Sequence, residues 1–333
     1  MKKTSIKKIS SMLERAENPL YLYDDDADGL CSYLLLKRKF KKGTGIPVKR
    51  APKIDVDFVK ILNHYTYDLL VILDKPLTDQ EFIDKIKTPI VYLDHHQIQE
   101  LKGVYYYNSR FNKNDDSPTT KICHDIVKQD DWIAAVGIVA DWHLPSFLKK
   151  LTKAYPDLIK NTKKPEKILF EMEMGKLAKI FSFILKGDNK VLKECVSVLE
   201  KATSPYEILE NKNSIIMQRF EEVNKIYEEL LNSAIKERSR DKLLVFTYLS
   251  GKVSSTGELA NELFYKFPKK MVVIAREKDN EMRMSIRGKN ALKHLAKALV
   301  GINGYGGGHE NACGGSVAKE DFIKFLNNLR ALI

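Results

Sequence analysis

The chain has 333 residues, 44% apolar and 30% charged, with a formal charge of +12. That is the composition of a water-soluble globular protein long enough for two domains. It excludes a disulfide-rich scaffold, because Cys31, Cys123, Cys195 and Cys313 are scattered, and it offers no apolar run of membrane-spanning length.

The basic start, Met1 to Lys8, is followed by helical spacing (Ile6, Ile9, Met12, Leu13) and not by an apolar signal core. The expectation is a cytoplasmic protein with no membrane partner and with buried, reduced cysteines. Excess positive charge suits a polyanionic partner, although a lysine-rich solvated surface would read the same way.

Helix 6–16 leads into a strand at 20–23, and a helix over 29–39 follows, with Leu30, Tyr33, Leu34 and Leu35 as its buried stripe. Further strands are expected at 46–50, 69–73, 90–93 and 103–107, with helices near 55–63 and 78–86. Short apolar runs alternating with helices indicate a parallel sheet with crossover helices. Ser117-Pro118-Thr119-Thr120 reads as a helix start, with Ser117 as N-cap and Pro118 in the first position. Trp132 to Ala140 is a short apolar segment ending on Asp141.

From about 146 to 235 the pattern is helical and charged, with no strand signal. A second α/β unit starts near Lys242, with strands at 243–248, 271–275 and 281–286 and helices at 256–266, 290–299 and 319–331. Between the last two helices lies Gly301-Ile302-Asn303-Gly304-Tyr305-Gly306-Gly307-Gly308-His309, the densest glycine segment of the chain.

Three apolar strands end on potential ligands: Tyr23 on Asp24-Asp25-Asp26-Ala27-Asp28-Gly29, Leu73 on Asp74, and Leu93 on Asp94-His95-His96. Active groups of open α/β sheets lie at the carboxyl ends of strands. Crowded carboxylates repel one another, and a divalent cation relieves that repulsion. Carboxylates with imidazole suit Mn²⁺ or Mg²⁺ better than Zn²⁺. Taken singly, each segment also fits a solvated turn, and Asp141 also fits a helix C-terminus. Two metals close together would clamp an in-line displacement at phosphorus. Gly306 to Gly308 with His309 suits backbone N–H contact with an anion, or a flexible turn. Arg283 and Arg287 share a strand face. Tyr105-Tyr106-Tyr107 suits base stacking, or more simply strand core.

These segments resemble the DHH phosphoesterase family with its DHHA1 companion domain. The opening motif stands as Asp24-Asp25-Asp26-Ala27-Asp28-Gly29, the strand-end aspartate as Asp74 and the naming motif as Asp94-His95-His96. Asp141 follows Gly137-Ile138-Val139-Ala140, Ser285-Ile286-Arg287 matches the companion strand, and Gly306-Gly307-Gly308-His309-Glu310-Asn311-Ala312-Cys313-Gly314 matches the closing motif. One position departs: the family's opening histidine is Asp24.

The resemblance implies an α/β protein with a parallel-sheet DHH domain at 1–175, a helical connector at 176–237 and a smaller α/β DHHA1 domain at 238–333. It implies two Mn²⁺ ions, or Mg²⁺, on Asp24, Asp26, Asp28, Asp74, His95 and Asp141. Asp94 and His96 would form the catalytic pair, with His96 near the scissile phosphate. Arg287, Gly306, Gly307, Gly308 and His309 would bind substrate. The short archaeal RecJ-like exonucleases, including those associated with the Hef helicase, are the nearest subgroup. The expected activity is hydrolysis of single-stranded DNA or RNA from the 3′ end, releasing mononucleotides, in DNA repair. Alternatives are an oligoribonuclease or cyclic-dinucleotide phosphodiesterase, and a non-catalytic adaptor of a helicase or replication complex. A Hef-type helicase or other repair protein is the expected protein partner, with homodimerisation left open.

Overall fold

The computed structural model describes residues 3–49, 53–237, 240–249, 251 and 254–333. It divides into two compact units, Met1–Phe220 and Glu221–Ile333.

The first unit is built on five parallel strands in the order β2-β1-β4-β6-β7. These are β1 (Pro19–Asp24), β2 (Thr44–Val48), β4 (Leu69–Leu73), β6 (Ile90–Asp94) and β7 (Tyr105–Asn108). The short strands β3 (Lys53–Ile54) and β5 (Leu77–Thr78) pair separately. The sheet strands β4 and β6 are buried throughout, which is why they read as unbroken apolar runs. The expected strand 46–50 begins earlier, at Thr44, and its last position, Arg50, lies outside the described residues.

Helices α1 (Ile6–Arg15), α2 (Ala27–Phe40), α3 (Val59–Leu62), α4 (Gln80–Lys85), α5 (Thr119–Val127) and α6 (Asp131–Ala140) accompany the sheet. Ser5 caps α1 by accepting the Lys8 N–H. Leu20, Leu22, Ile72, Tyr92 and Tyr106 form the core on one face of the sheet. Tyr23 stacks on Tyr33 of α2 at 4.8 Å, and the Tyr33 hydroxyl donates to Glu200 at 2.6 Å.

The segment without strand signal holds α7 (Leu148–Ala154), α8 (Pro165–Glu171), α9 (Glu173–Ile184), α10 (Asn189–Leu199), α11 (Pro205–Glu210) and α12 (Ile215–Lys236). Arg38 fastens α2 to this layer. It pairs with Asp130 at 2.7 Å and donates to the carbonyls of Glu200 and Ala202 at 3.0 and 2.7 Å, just past the end of α10.

The second unit has a five-stranded sheet in the order β11-β12-β10-β9-β8. Its strands are β8 (Leu243–Leu249), β9 (Met271–Lys278), β10 (Glu281–Arg287), β11 (Gly304–Gly308) and β12 (Ala312–Ala318), and its helices are α13 (Thr256–Lys266), α14 (Ala291–Ala298) and α15 (Phe322–Arg330). Only β8 and β9 run parallel.

Strands β11 and β12 go beyond the sequence reading, which gave Gly306 to Gly308 as an anion contact or a flexible turn and assigned no element to 312–318. The glycines carry no side chain to display a period of two, so the strands leave no pattern. No described helix is long and apolar enough to cross a membrane. All four cysteines are free and buried.

Candidate metal centre

The carboxyl ends of β1, β4 and β6 lie side by side, and their terminal residues meet. Asp24 closes β1, and Asp26 caps α2 by accepting the Gly29 N–H at 2.9 Å. Asp28 follows in the first turn of α2 and is buried. Gly29 is required by a close approach: a Cβ there would stand 2.5 Å from the Asp24 carbonyl oxygen. This contact folds the first turn of α2 tightly back on the end of β1.

The carboxylate of Asp28 is received by α5. It accepts the N–H groups of Thr119 and Thr120 at 2.9 and 2.7 Å, while the Thr120 hydroxyl donates to the Asp28 carbonyl at 2.9 Å. The expected local cap, Ser117, is not used; Pro118 holds the cap position with no side-chain bond and α5 begins at Thr119. The cap comes from a residue 91 positions away in sequence, where the helix N-terminus offers unsatisfied donors and favourable dipole charge.

Asp74, buried at the end of β4, has φ of +62°. Aspartate tolerates that left-handed region better than most residues. The turn aims its carboxylate at the Thr119 hydroxyl, which donates at 2.9 Å, and at His95 Nε2, 3.4 Å away. His95 is buried among three carboxylates. Its Nε2 also lies 3.8 Å from Asp28, and its Nδ1 lies 3.6 Å from Asp141. Asp141 is the C-cap of α6, so the short apolar segment before it is a helix, and the negative end of that helix adds to the local demand for a cation.

His96 is partly exposed and donates from Nδ1 to Asp94 Oδ1 at 2.8 Å. Because a carboxylate only accepts, this bond places the proton on Nδ1. Asp94 is fully buried, and its other oxygen accepts from Asn108 Nδ2 at 3.1 Å and the Tyr106 hydroxyl at 3.4 Å. Asn108 also donates to the His96 carbonyl at 3.0 Å, and Arg110 Nε donates to that of His95 at 2.7 Å. Tyr106 thus serves as core and hydrogen-bond donor. Lys8 and Lys3 cover the rings of Tyr105 and Tyr107 at 4.5 and 4.9 Å.

Repulsion marks the cluster. Burial and the charges of Asp28 and Asp26 push Asp74 well above the ordinary carboxylate range. Asp26 is exposed, yet the surrounding protein and then Asp24 and Asp28 push it up as well. Burial raises Asp141. The cost of burial opposes protonation of His95, but Asp141, Asp74 and Asp28 outweigh it and raise its pKa.

Ligand atoms of Asp28, His95 and Asp141 lie within 4.8 Å of one another, as do those of Asp24, Asp26 and Asp74. Hard oxygens with one imidazole, clustered at this spacing and under mutual repulsion, fit a divalent Mn²⁺ or Mg²⁺ ion at Asp28, Asp74, His95 and Asp141. The Asp24 corner differs. Its Oδ1 is 2.6 Å from Nζ of Lys75, a lysine with 1% of its surface exposed.

In the second unit, Arg287 on β10 donates from Nε to Asn261 at 2.5 Å and from Nη1 to the carbonyls of Ile286 and Cys313 at 2.9 and 3.3 Å. Arg283 lies on the same strand and pairs with Glu281 at 3.3 Å. Gly306, Gly307 and Gly308 form the exposed edge strand β11, and His309 makes the turn into β12, its N–H donating to the Ala312 carbonyl at 2.8 Å.

Residues 241–333 match the DHHA1 domain model. The second unit therefore carries a DHHA1 domain. No curated protein matches the sequence. Solved structures share the fold across nearly the whole chain. The DHH domain of a protein described as a member of a ribosomal-protein family aligns at TM-score 0.67 and 16% identity, covering 97% of this chain and 89% of that one. RecJ of Thermus thermophilus in complex with Mn²⁺ aligns at 0.64 and 15% identity, covering 98% of this chain and 54% of that one. The chain thus spans about half the length of that RecJ. A pGpG-specific phosphodiesterase from Vibrio cholerae aligns at 0.51 and 12% identity, covering 95% and 98%. At these identities the likeness is one of fold: a RecJ-like DHH sheet domain, a helical region and a smaller α/β DHHA1 domain.

Sequence reasoning missed Lys75, Thr119, Thr120, Asn108 and Arg110. Only Lys75 left a signal, as a charge next to Asp74 just past a buried strand.

Proposed function

We propose that the chain is a metal-dependent phosphodiesterase that degrades single-stranded DNA or RNA from the 3′ end and releases mononucleotides. The observation that carries this reading is the gathering of Asp28, Asp74 and Asp141 around His95, next to the carboxyl end of β6, with ligand atoms of Asp28, His95 and Asp141 within 4.8 Å of one another. The DHHA1 match and the charge of +12 add support.

These four residues would hold Mn²⁺, or Mg²⁺ in its place. When bound, the ion supplies Lewis-acid stabilisation of phosphoryl charge and lowers the pKa of water. The protein's own part is positioning. Thr119 and Thr120 fix Asp28, and the left-handed turn fixes Asp74. Asp94 orients His96 so that Nε2 meets the phosphate or the leaving oxygen. Arg287, Gly306, Gly307, Gly308 and His309 belong to the DHHA1 part and are proposed to bind the nucleotide. The proposed division of the chain is 1–175, 176–237 and 238–333; position 238 itself lies outside the described residues. A Hef-type helicase, a cytoplasmic location and self-association belong to the same proposal.

The test is incubation of end-labelled DNA and RNA strands with Mn²⁺. A ladder shortening from the 3′ end, lost in Asp141→Asn, supports the reading; intact strands under all metal conditions refute it. The fold shared with a pGpG-specific phosphodiesterase favours a second reading, hydrolysis of very short oligonucleotides. A dinucleotide cleaved much faster than a 20-mer would select it, because longer strands offer more phosphate contacts to a basic protein.

A further inference from the structure

We propose that the Lys75 ammonium is a built-in cation at the Asp24–Asp26–Asp74 corner, so that the centre takes one divalent ion where its motifs imply two. This inference rests on the metal-dependent reading above. Lys75 is buried to 99% of its surface, and its Nζ stands 2.6 Å from Asp24 Oδ1 and 3.4 Å from the Val48 carbonyl. A buried ammonium is tolerated only when paired and hydrogen-bonded.

The pair also accounts for Asp24. A neutral imidazole at that position gives a lysine no counter-charge, whereas a carboxylate does. Asp24 and Lys75 are 51 residues apart but close neighbouring strands, for Tyr23 pairs with Leu73 in the sheet. The departure at Asp24 and the buried lysine thus complement each other at one corner. Ligand atoms of Asp24, Asp26 and Asp74 lie within 4.8 Å of one another, so a dication among them would sit beside the ammonium, and like charges at that range repel. Lys75 also neutralises the Asp24 carboxylate, whose charge such an ion would otherwise draw on.

The Asp28 side of the centre is bonded differently. Asp28 and Asp74 accept from the neutral N–H and O–H groups of Thr119 and Thr120, which leave further lone pairs for an ion. A fixed ammonium, unlike a second metal, cannot be removed by chelation.

The experiment is Mn²⁺ stoichiometry by equilibrium dialysis on the full chain, with electron paramagnetic resonance of the bound ion. The expected result is one Mn²⁺ per chain with the six-line spectrum of an isolated ion. In the double variant Asp24→His with Lys75→Met, two ions and an exchange-coupled spectrum are expected. Two coupled ions in the unaltered protein overturn the inference while leaving the metal reading intact, and that measurement stands even if the variant does not fold. A folded double variant that still binds a single ion also overturns it. No bound ion at millimolar Mn²⁺ overturns the metal reading itself, and this inference with it.

Discussion

Replacing Asp28 by asparagine separates its role as an anion from its role as the cap of α5. Both carboxylate oxygens accept buried backbone N–H groups, at 2.9 and 2.7 Å. An amide retains one acceptor and turns an NH₂ group toward the other donor. The lost charge-assisted bond is worth about 2 kcal/mol, and the lost charge at a buried helix N-terminus is worth up to about 2 more. Against this, relief of repulsion, about 3.5 kcal/mol for an acid at 4.8 Å and an effective dielectric near 20, is partly cancelled by the lost attraction to His95, 3.8 Å away, and returns about 2 kcal/mol. The net expectation in EDTA is a loss of about 2 kcal/mol, which lowers a urea midpoint by about 1 M at an unchanged slope. Asp26→Asn is the control. Asp26 is exposed and accepts one N–H, so relief of repulsion dominates and stability in EDTA is unchanged or higher. If Asp28→Asn is as stable as the parent in EDTA, the capping argument fails.

The metal-free protein should lose stability as pH rises, the reverse of usual carboxylate behaviour. Asp26, Asp74 and Asp141 have raised pKa values, so above about pH 4 the folded state holds protons that the unfolded state has released. His95 acts in the same direction: its raised pKa stabilises the fold below about 6.5, a contribution lost as pH passes its folded value. Melting temperature in EDTA should therefore fall from pH 5 to pH 8, and a flat or rising curve would count against the cluster. Gly137→Ala should cost about 1–3 kcal/mol by overpacking, because a Cβ there meets the Thr120 hydroxyl oxygen at 2.2 Å and Cys31 Cβ at 2.7 Å. A thermal melt checks it. Burial pushes the Cys195 and Cys313 thiols up to about 11, and Cys31 and Cys123 well above their usual range. A thiol reagent at pH 8 should label none of the four until the chain unfolds, and rapid labelling of the native protein would contradict their burial.

What could be read from the sequence follows from which forces act locally. Buried parallel strands write themselves as apolar runs, so Leu69–Leu73 and Ile90–Asp94 were legible almost to the residue, together with the acids at their ends. The positions of Asp24, Asp74 and His95 at one end of the sheet followed from topology, whereas Asp141, at the end of α6, did not. The capping of α5 by Asp28 did not, because Ser117 offered an equally good local cap and only tertiary packing chose between them. The Lys75–Asp24 pair was hidden for the same reason: each charge looks solvated until the strands are aligned. The glycine segment at Gly304–Gly308 was illegible as strand, because it has no side chains to alternate apart from Tyr305.

The central claim is that Asp28, Asp74, His95 and Asp141 form a metal centre that hydrolyses phosphodiesters. Its most direct test is the Mn²⁺ dependence of mononucleotide release from a single strand, measured for the parent and for Asp74→Asn. The account predicts saturable Mn²⁺ activation in the parent and at least a hundredfold loss in the variant, equivalent to about 2.7 kcal/mol of transition-state stabilisation. Equal rates for the two proteins, or release that persists in EDTA, would contradict it.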